Sequence, residues 1–173
     1  MDFTGIKAFA FDIDGVMTDG GILAMPDGDL LRTFDAKDSF AIRMATMNGY
    51  IVGIITGGSS ESIRKRFAYC GVAPEDVYLH SRNKLTDFYR FCEAHGLKAE
   101  EVMFFGDDIP DIGVMKACGI GVCPADACEE VLAIADIVSP NPGGHQVIRE
   151  MFRRVMLAQG RWTFDEGVYA VKF

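Results

Sequence analysis

Short runs of apolar residues alternate along this chain with longer segments in which apolar residues recur at helical spacing. The short runs are bounded by Gly, Asp or Pro and predict buried strands at Lys7–Asp12, Ile51–Ile55, Val102–Phe105, Gly119–Val122 and Ile137–Val138. The longer segments predict helices at Ser39–Asn48, Ser60–Cys70, Lys84–His95, Ile112–Ala117, Cys128–Ala133 and Gln146–Leu157. This alternation is typical of the doubly wound α/β class, in which helices cover both faces of a parallel sheet.

Two segments stand outside the alternation. The β-like runs Gly20–Met25 and Leu30–Asp35 flank a Pro-Asp-Gly turn and predict a hairpin flap at about residues 20–35. The hairpin leaves the end of the first strand, where ligands bind in this class of fold, so it either overhangs the site or is an ordinary surface hairpin. The aromatic tail Gly160–Phe173 is expected to pack on its own domain or to reach a neighbouring subunit, because so apolar a tail is unfavourable in water.

Length and charge narrow the function classes. The chain has 173 residues and no internal repeat or linker, which predicts one domain over residues 1–173. Seventeen basic against twenty-five acidic residues give a net charge of −8, which disfavours nucleic acid and anionic lipid and favours a small-molecule partner. No apolar run is long enough for a membrane span. The first residues lack a secretion signal, so a cytoplasmic location is expected, with the five cysteines as core thiols.

Polar side chains that could carry chemistry follow the predicted strands. Asp12 and Asp14 come directly after the first strand, and residues two apart in an extended segment point the same way. Two adjacent carboxylates are costly unless a cation or a proton lies between them. Carboxylates, water and phosphate oxygens are the ligands that Mg²⁺ prefers, so this pair predicts a Mg²⁺ site.

Three further positions offer partners for a phosphate group. The segment Thr56–Ser60 (TGGSS) supplies a hydroxyl and backbone N–H groups before a helix, which suits an anion. Lys84 opens the next helix as a compact positive charge, and Gly106–Asp111 (GDDIPD) adds carboxylates for the metal. Together these groups provide a nucleophile, a proton-transfer group, phosphoryl ligands and a metal site.

The order of these motifs is similar to that of a known superfamily. D-x-D-G-V-x-T-D-G, T-G-G, Lys and G-D-D-x-x-D, which span Phe9 to Asp111, resemble the haloacid dehalogenase (HAD) superfamily of phosphatases. Among its members without a cap domain, the chain looks like the family that acts on 3-deoxy-D-manno-octulosonate (KDO) 8-phosphate. The segments FDAKDSFAI, Ala135–Glu150 and LAQG extend this likeness over nearly the whole chain. The resemblance implies a Mg²⁺-dependent KDO 8-phosphate phosphatase of lipopolysaccharide sugar synthesis.

The resemblance also implies roles for particular residues. Asp12 is implied as the nucleophile that forms an aspartyl phosphate, and Asp14 as the acid that protonates the leaving sugar oxygen and then activates water. Thr56 and Lys84 are implied as ligands of the phosphoryl group, whose in-line transfer mainly needs positioning and charge neutralisation.

Metal and substrate ligands are implied in the same way. Asp12, the backbone carbonyl of Asp14, and Asp107 are implied to bind Mg²⁺, with Asp108 and Asp111 behind them. The loop residues Gly57 and Gly58 are implied as phosphate contacts, and Arg66 as a contact of the substrate carboxylate or of a subunit boundary. The family is a homotetramer whose hairpins form a barrel-like hub and partly cover neighbouring sites, so the same assembly is expected here.

Departures from the family pattern leave the substrate more open than the reaction. They comprise Gly58 where Arg is frequent, Lys37, Ser39 and Ala41 after the hairpin, and His145-Gln146 in place of a small Gly-x-Gly stretch. A nine-carbon keto acid 9-phosphate of the sialic-acid or KDN type is therefore an alternative substrate. A receiver-like signalling domain is a third reading, but receivers have no acidic cluster after the Lys.

Overall fold

A computed structural model describes residues 1–173, and its core is a six-stranded parallel sheet. The chain contains eight strands: β1 (Ala8–Phe11), β2 (Leu23–Ala24), β3 (Leu30–Leu31), β4 (Ile51–Ile55), β5 (Val77–Tyr78), β6 (Val102–Phe105), β7 (Ile120–Cys123) and β8 (Ile137–Val138). The six strands of the main sheet lie in the order β5-β4-β1-β6-β7-β8, all parallel. The order reverses at β1, and a crevice at the carboxyl ends of the strands is expected at such a point.

Seven helices connect or flank the strands: α1 (Ala36–Met47), α2 (Glu61–Ala68), α3 (Lys84–His95), α4 (Ile112–Ala117), α5 (Glu129–Leu132), α6 (Val147–Ala158) and α7 (Glu166–Lys172). The start of α1 differs from the prediction, which placed it at Ser39. The side chain of Asp35 accepts hydrogen bonds from the backbone N–H groups of Lys37 and Asp38 and so caps the helix earlier. None of these helices has both the length and the apolar character that a membrane crossing requires.

The sheet buries both of its faces, as the doubly wound prediction requires. Phe9 and Phe11 of β1 point to one side, where Phe9 stacks on Phe152 of α6 with ring centroids 3.8 Å apart. Ala8 and Ala10 point to the other side, which α3, α4 and α5 cover. Because side chains alternate along a strand, the four residues of β1 pack into two separate cores, one on each face of the sheet, and this packing fixes the strand. The residues that follow β1 therefore leave from a fixed point.

The predicted hairpin contains only a short ladder, and the tail takes one of the two placements predicted for it. Only β2 and β3 pair within the predicted flap, and both are largely exposed. The tail contains α7, which the sequence analysis did not predict, and it packs on α1 of its own chain. Phe40 of α1 contacts Phe164 and Tyr169, and Arg43 donates a hydrogen bond of 2.8 Å to the Tyr169 hydroxyl.

The five cysteines are free, and the prediction of core thiols holds for three of them. Cys70, Cys92 and Cys123 are buried in the two cores, whereas Cys118 and Cys128 are only half-buried. Burial raises the pKa of Cys118 to about 12, so this thiol is a poor nucleophile. The cysteines therefore contribute packing rather than chemistry.

Candidate active site

Three of the predicted site residues lie at the carboxyl ends of β1, β4 and β6. Asp12 follows β1, Thr56 follows β4 and Asp107 follows β6 by one glycine. Because β1 pairs in parallel with both β4 and β6, these three ends lie side by side. They border a cleft of about 510 Å³ lined by Asp12, Asp14, Gly15, Gly20, Thr56, Gly57, Gly58, Ser81, Arg82, Lys84, Asp107, Asp108 and Pro110.

Lys84 joins two of the carboxylates at the floor of the cleft. Its Nζ lies 2.7 Å from Asp12 Oδ2 and 2.7 Å from Asp111 Oδ1, and the Lys84 side chain is only 5% exposed. Burial alone lowers the pKa of Lys84, but Asp12 and Asp111 together raise it above its usual value. The lysine is therefore charged and fixed in place, with its position set by Asn83, whose side chain caps α3.

Asp111 is fully buried and satisfied on both oxygens. Besides the contact with Lys84, its Oδ2 accepts the backbone N–H groups of Asp107 and Asp108 at 3.1 and 3.3 Å. Burial raises the pKa of Asp111 despite the opposing effect of Lys84. Its carboxylate thus shapes the loop after β6 rather than facing the cleft.

Asp107 has a buried oxygen without a partner. Its Oδ1 accepts no hydrogen bond, and burial together with the charges of Asp111 and Asp12 raises the pKa of Asp107 to about 7. One oxygen from each of these three carboxylates lies within 4.8 Å of the others. An unpartnered buried oxygen within an acidic cluster fits a hard divalent cation, which would supply the missing positive charge.

Gly15 allows Asp107 to reach this position. A Cβ on Gly15 would lie 1.9 Å from Asp107 Oδ2, and the backbone φ of Gly15 is +85°, a conformation that favours glycine. The glycine of the D-x-D-G motif therefore allows the chain to turn away from β1 and leaves room for the Asp107 carboxylate, which follows β6.

The loop after β4 forms the opposite wall of the cleft. Thr56 is 1% exposed, and its Oγ1 accepts the backbone N–H of Gly58 at 3.2 Å. The backbone of Thr56 is fixed by hydrogen bonds with Tyr78 and Ser81, so β5 and the loop that follows it hold the threonine. Gly57 and Gly58 thus line the cleft, where their backbone can contact an anion.

Asp14 forms an ion pair that the sequence does not predict. Arg32, directly after β3, donates from Nε to Asp14 Oδ1 at 2.6 Å and from Nη2 to Asp14 Oδ2 at 2.9 Å. The Asp14 side chain is 28% exposed and the Arg32 side chain 3% exposed. The only signal in the sequence was a basic residue in the hairpin close to an acidic motif, which does not specify this contact.

Four other residues lie in or near the cleft or were expected to. Ser81 and Arg82 line the cleft but were not predicted, because they lie in an irregular loop before α3. Asp108 is exposed at the rim, where its side chain caps a short 3₁₀ turn. Arg66 does not line the cleft of this chain; its Nη2 donates to Ser39 Oγ at 2.7 Å, which ties α2 to α1.

Known proteins similar in sequence to this chain include phosphatases of one family. The haloacid dehalogenase-like hydrolase family matches residues 75–150. The chain is 34% identical over 162 residues to 3-deoxy-D-manno-octulosonate 8-phosphate phosphatase of Salmonella typhi, covering 94% of this chain and 85% of that protein. The Haemophilus influenzae protein of the same name is 31% identical over 156 residues, covering 90% of this chain and 86% of that protein.

Solved structures share the fold. The phosphatase of this name from Yersinia pestis superposes with a TM-score of 0.88 at 30% identity, covering 92% of this chain and 85% of that one. The Moraxella catarrhalis phosphatase, solved in complex with magnesium ion, phosphate ion and KDO, gives a TM-score of 0.87 at 27% identity and covers 98% of this chain and 94% of that one.

Proposed function

Because the chain belongs to the 3-deoxy-D-manno-octulosonate 8-phosphate phosphatase family of haloacid dehalogenase-like hydrolases, we propose that it hydrolyses KDO 8-phosphate to KDO and phosphate. This reaction serves lipopolysaccharide sugar synthesis. The observation that carries the proposal is the meeting of Asp12, Thr56, Lys84 and Asp107 in one polar cleft at the strand ends. A phosphoryl group needs such a set of fixed charges and donors.

The proposed chemistry has two steps. In the first, an Asp12 carboxylate oxygen attacks phosphorus, the bond from phosphorus to the sugar oxygen breaks, and Asp14 donates a proton to that oxygen. In the second, water attacks the aspartyl phosphate while Asp14 takes its proton, and phosphate leaves with Asp12 restored. The 2.7 Å contact of Lys84 with Asp12 supports this assignment, because the lysine charge lies beside the attacking group.

Mg²⁺ completes the proposed site. Asp12, the backbone carbonyl of Asp14, and Asp107 are its proposed ligands, supported by the unpartnered Asp107 Oδ1. The ion supplies positive charge for the phosphoryl oxygens and orients them. Asp111 is proposed to support these ligands from behind through its hydrogen bonds to the loop, and Asp108 to support them from the rim of the cleft.

Phosphate and substrate contacts belong to the same proposal. Thr56, Gly57 and Gly58 lie on the wall of the cleft facing the carboxylates and are proposed to hold the phosphoryl oxygens together with Lys84. Arg66 does not line its own cleft and is bound to Ser39, so its proposed contact with a substrate carboxylate or a subunit boundary depends on the assembly.

The proposed unit is a cytoplasmic homotetramer of single-domain, capless subunits. The hairpin presents an apolar outer surface in which Ile22, Leu23 and Leu31 are 45%, 63% and 44% exposed, which suits a hub formed by four hairpins. The tail lies on α1 of its own chain, and its exposed Val168 and Val171 are available to a neighbouring subunit near that subunit's site. The flap and the tail would then take the place of a cap.

The test is Mg²⁺-dependent phosphate release at matched concentrations of three substrate classes. KDO 8-phosphate is expected to be turned over fastest, a nine-carbon keto acid 9-phosphate more slowly, and hexose phosphates least. Preference for the nine-carbon acid would keep the chemistry and change the substrate, whereas equal slow turnover of all three would refute the specificity. Asp12→Asn is expected to abolish release, and Asp2→Asn, an exposed carboxylate far from the cleft, to retain it.

A further inference from the structure

Arg32 fixes the Asp14 carboxylate in two directions. Its Nε and Nη2 donate to the two oxygens of Asp14 at 2.6 and 2.9 Å. Such a paired contact between a planar guanidinium and a planar carboxylate sets the plane as well as the distance of the acid. The Arg32 side chain is 3% exposed, although the hairpin strands beside it are largely exposed. A buried arginine at the base of an exposed hairpin is therefore a feature of the site rather than of the surface.

The hairpin itself is tied to the cleft through this arginine. Arg32 Nη1 donates to the backbone oxygen of Leu30 at 3.0 Å, which links the guanidinium to the hairpin's own strand. A second tie joins Ser60, the residue that caps α2, to Asp29 of the hairpin turn at 3.1 Å. Movement of the hairpin would thus be transmitted to Asp14.

Gly58 provides the room that Arg32 occupies. A Cβ on Gly58 would lie 3.3 Å from Arg32 Nη2 and 3.1 Å from Ile63 Cδ1, closer than side chains normally pack. A side chain at position 58 would therefore crowd the guanidinium, and the glycine leaves it room beside the loop after β4. The guanidinium of Arg32, which comes from the hairpin, thus lies beside the proposed phosphate-binding loop at Thr56–Gly58.

We propose that Arg32 is a positioning residue that aims Asp14 at the sugar oxygen and couples the acid–base step to the placement of the hairpin. The inference rests on the proposed function, in which Asp14 transfers the proton. Loss of Arg32 should slow the steps that need Asp14 and leave phosphate binding at Lys84 and Thr56 in place. The effect is expected mainly in kcat, with little change in KM.

The test compares Arg32→Ala, Arg32→Lys, Asp14→Asn and the double variant Asp14→Asn/Arg32→Ala on KDO 8-phosphate. We expect Arg32→Ala to lower kcat about 100-fold, within the range of one acid–base group. Lysine, which keeps the charge but not the paired contact, should recover part of this loss. The double variant should be no slower than Asp14→Asn, because Arg32 acts through Asp14.

Two further measurements distinguish positioning from a structural role. Added guanidinium ion should raise the rate of Arg32→Ala but not of Arg154→Ala, a matched surface arginine paired with Glu150. Single-turnover release of nitrophenolate from p-nitrophenyl phosphate needs no proton from Asp14, so Arg32→Ala should retain its rate in that step. Retention also shows that the variant is folded.

Separate results would overturn the inference and the function on which it rests. An unchanged kcat in both Arg32 variants, or additive losses in the double variant, would overturn the positioning role. Loss of nitrophenolate release equal to the loss on KDO 8-phosphate would also overturn it. Full activity of Asp14→Asn would overturn the proposed chemistry itself.

Discussion

The ionised Asp107 side chain should lower the free energy of unfolding of the metal-free protein, and Asp107→Asn should raise it. Burial and two neighbouring carboxylates raise the pKa of Asp107 from 3.8 to about 7. About 3 pKa units correspond to about 4 kcal/mol of unfavourable free energy for the ionised form. Because the side chain retains partial solvent access and solvent screens its charge, we expect about 2 kcal/mol. Asparagine has the same shape without the charge.

The sign of the effect follows from proton binding. Between pH 3.8 and about 7 the folded protein keeps a proton on Asp107 that the unfolded chain has lost. The contribution of this group to the free energy of unfolding is therefore fully present below pH 3.8 and falls as pH rises through about 7. Asp107→Asn should gain stability over the parent across this window, reach its full gain above pH 7, and show no gain near pH 4.

Chemical denaturation of the metal-free proteins at pH 4.5, 6 and 8 measures this difference. Mg²⁺ should stabilise the parent at pH 8, because the ion supplies the positive partner that the Asp107 carboxylate lacks. It should leave the stability of Asp107→Asn nearly unchanged. Asp27→Asn, an exposed carboxylate in the hairpin turn, is the control and should show no comparable gain. Equal or lower stability of metal-free Asp107→Asn at pH 8 would refute the electrostatic reasoning.

Three other changes test separate features of the molecule. Lys84→Met removes the countercharge between two buried carboxylates and should lower the free energy of unfolding by about 3–5 kcal/mol at neutral pH, measured by denaturant titration. The variant should also lose phosphatase activity. Gly143→Ala places a Cβ 2.0 Å from the backbone oxygen of Gly15 and should cost about 1–3 kcal/mol, measured as a lowered melting temperature. Deletion of Trp162–Phe173 should alter the kinetic constants of the proposed tetramer, and unchanged constants would remove the tail from the neighbouring site.

The sequence predicts the sheet well because its central strands are buried on both faces. Ile51–Ile55, Val102–Phe105 and Ile137–Val138 match β4, β6 and β8 to the residue, since apolar runs end where Gly or polar residues begin. β5 is missed because a two-residue edge strand, Val77–Tyr78, has no pattern of its own. α7 is missed because its apolar residues depend on contacts with α1 for their burial.

The same reasoning explains which parts of the site the sequence could predict. Asp12, Thr56 and Asp107 each follow a central strand, and parallel strands bring their carboxyl ends to one edge. Which oxygen faces which charge depends on loop geometry that no local pattern records. The bridge from Lys84 to Asp12 and Asp111 is of this kind, because it joins the start of α3 to the end of β1 and to the turn before α4.

The contact between Arg32 and Asp14 shows how much of the site depends on tertiary structure. The two residues lie 18 positions apart, on opposite sides of the hairpin turn, and they meet only because the hairpin folds back over the end of β1. Gly58, on a third segment, leaves the space in which they meet. The basic group beside the phosphate loop therefore comes from the hairpin, a segment that no local pattern in the loop itself could indicate.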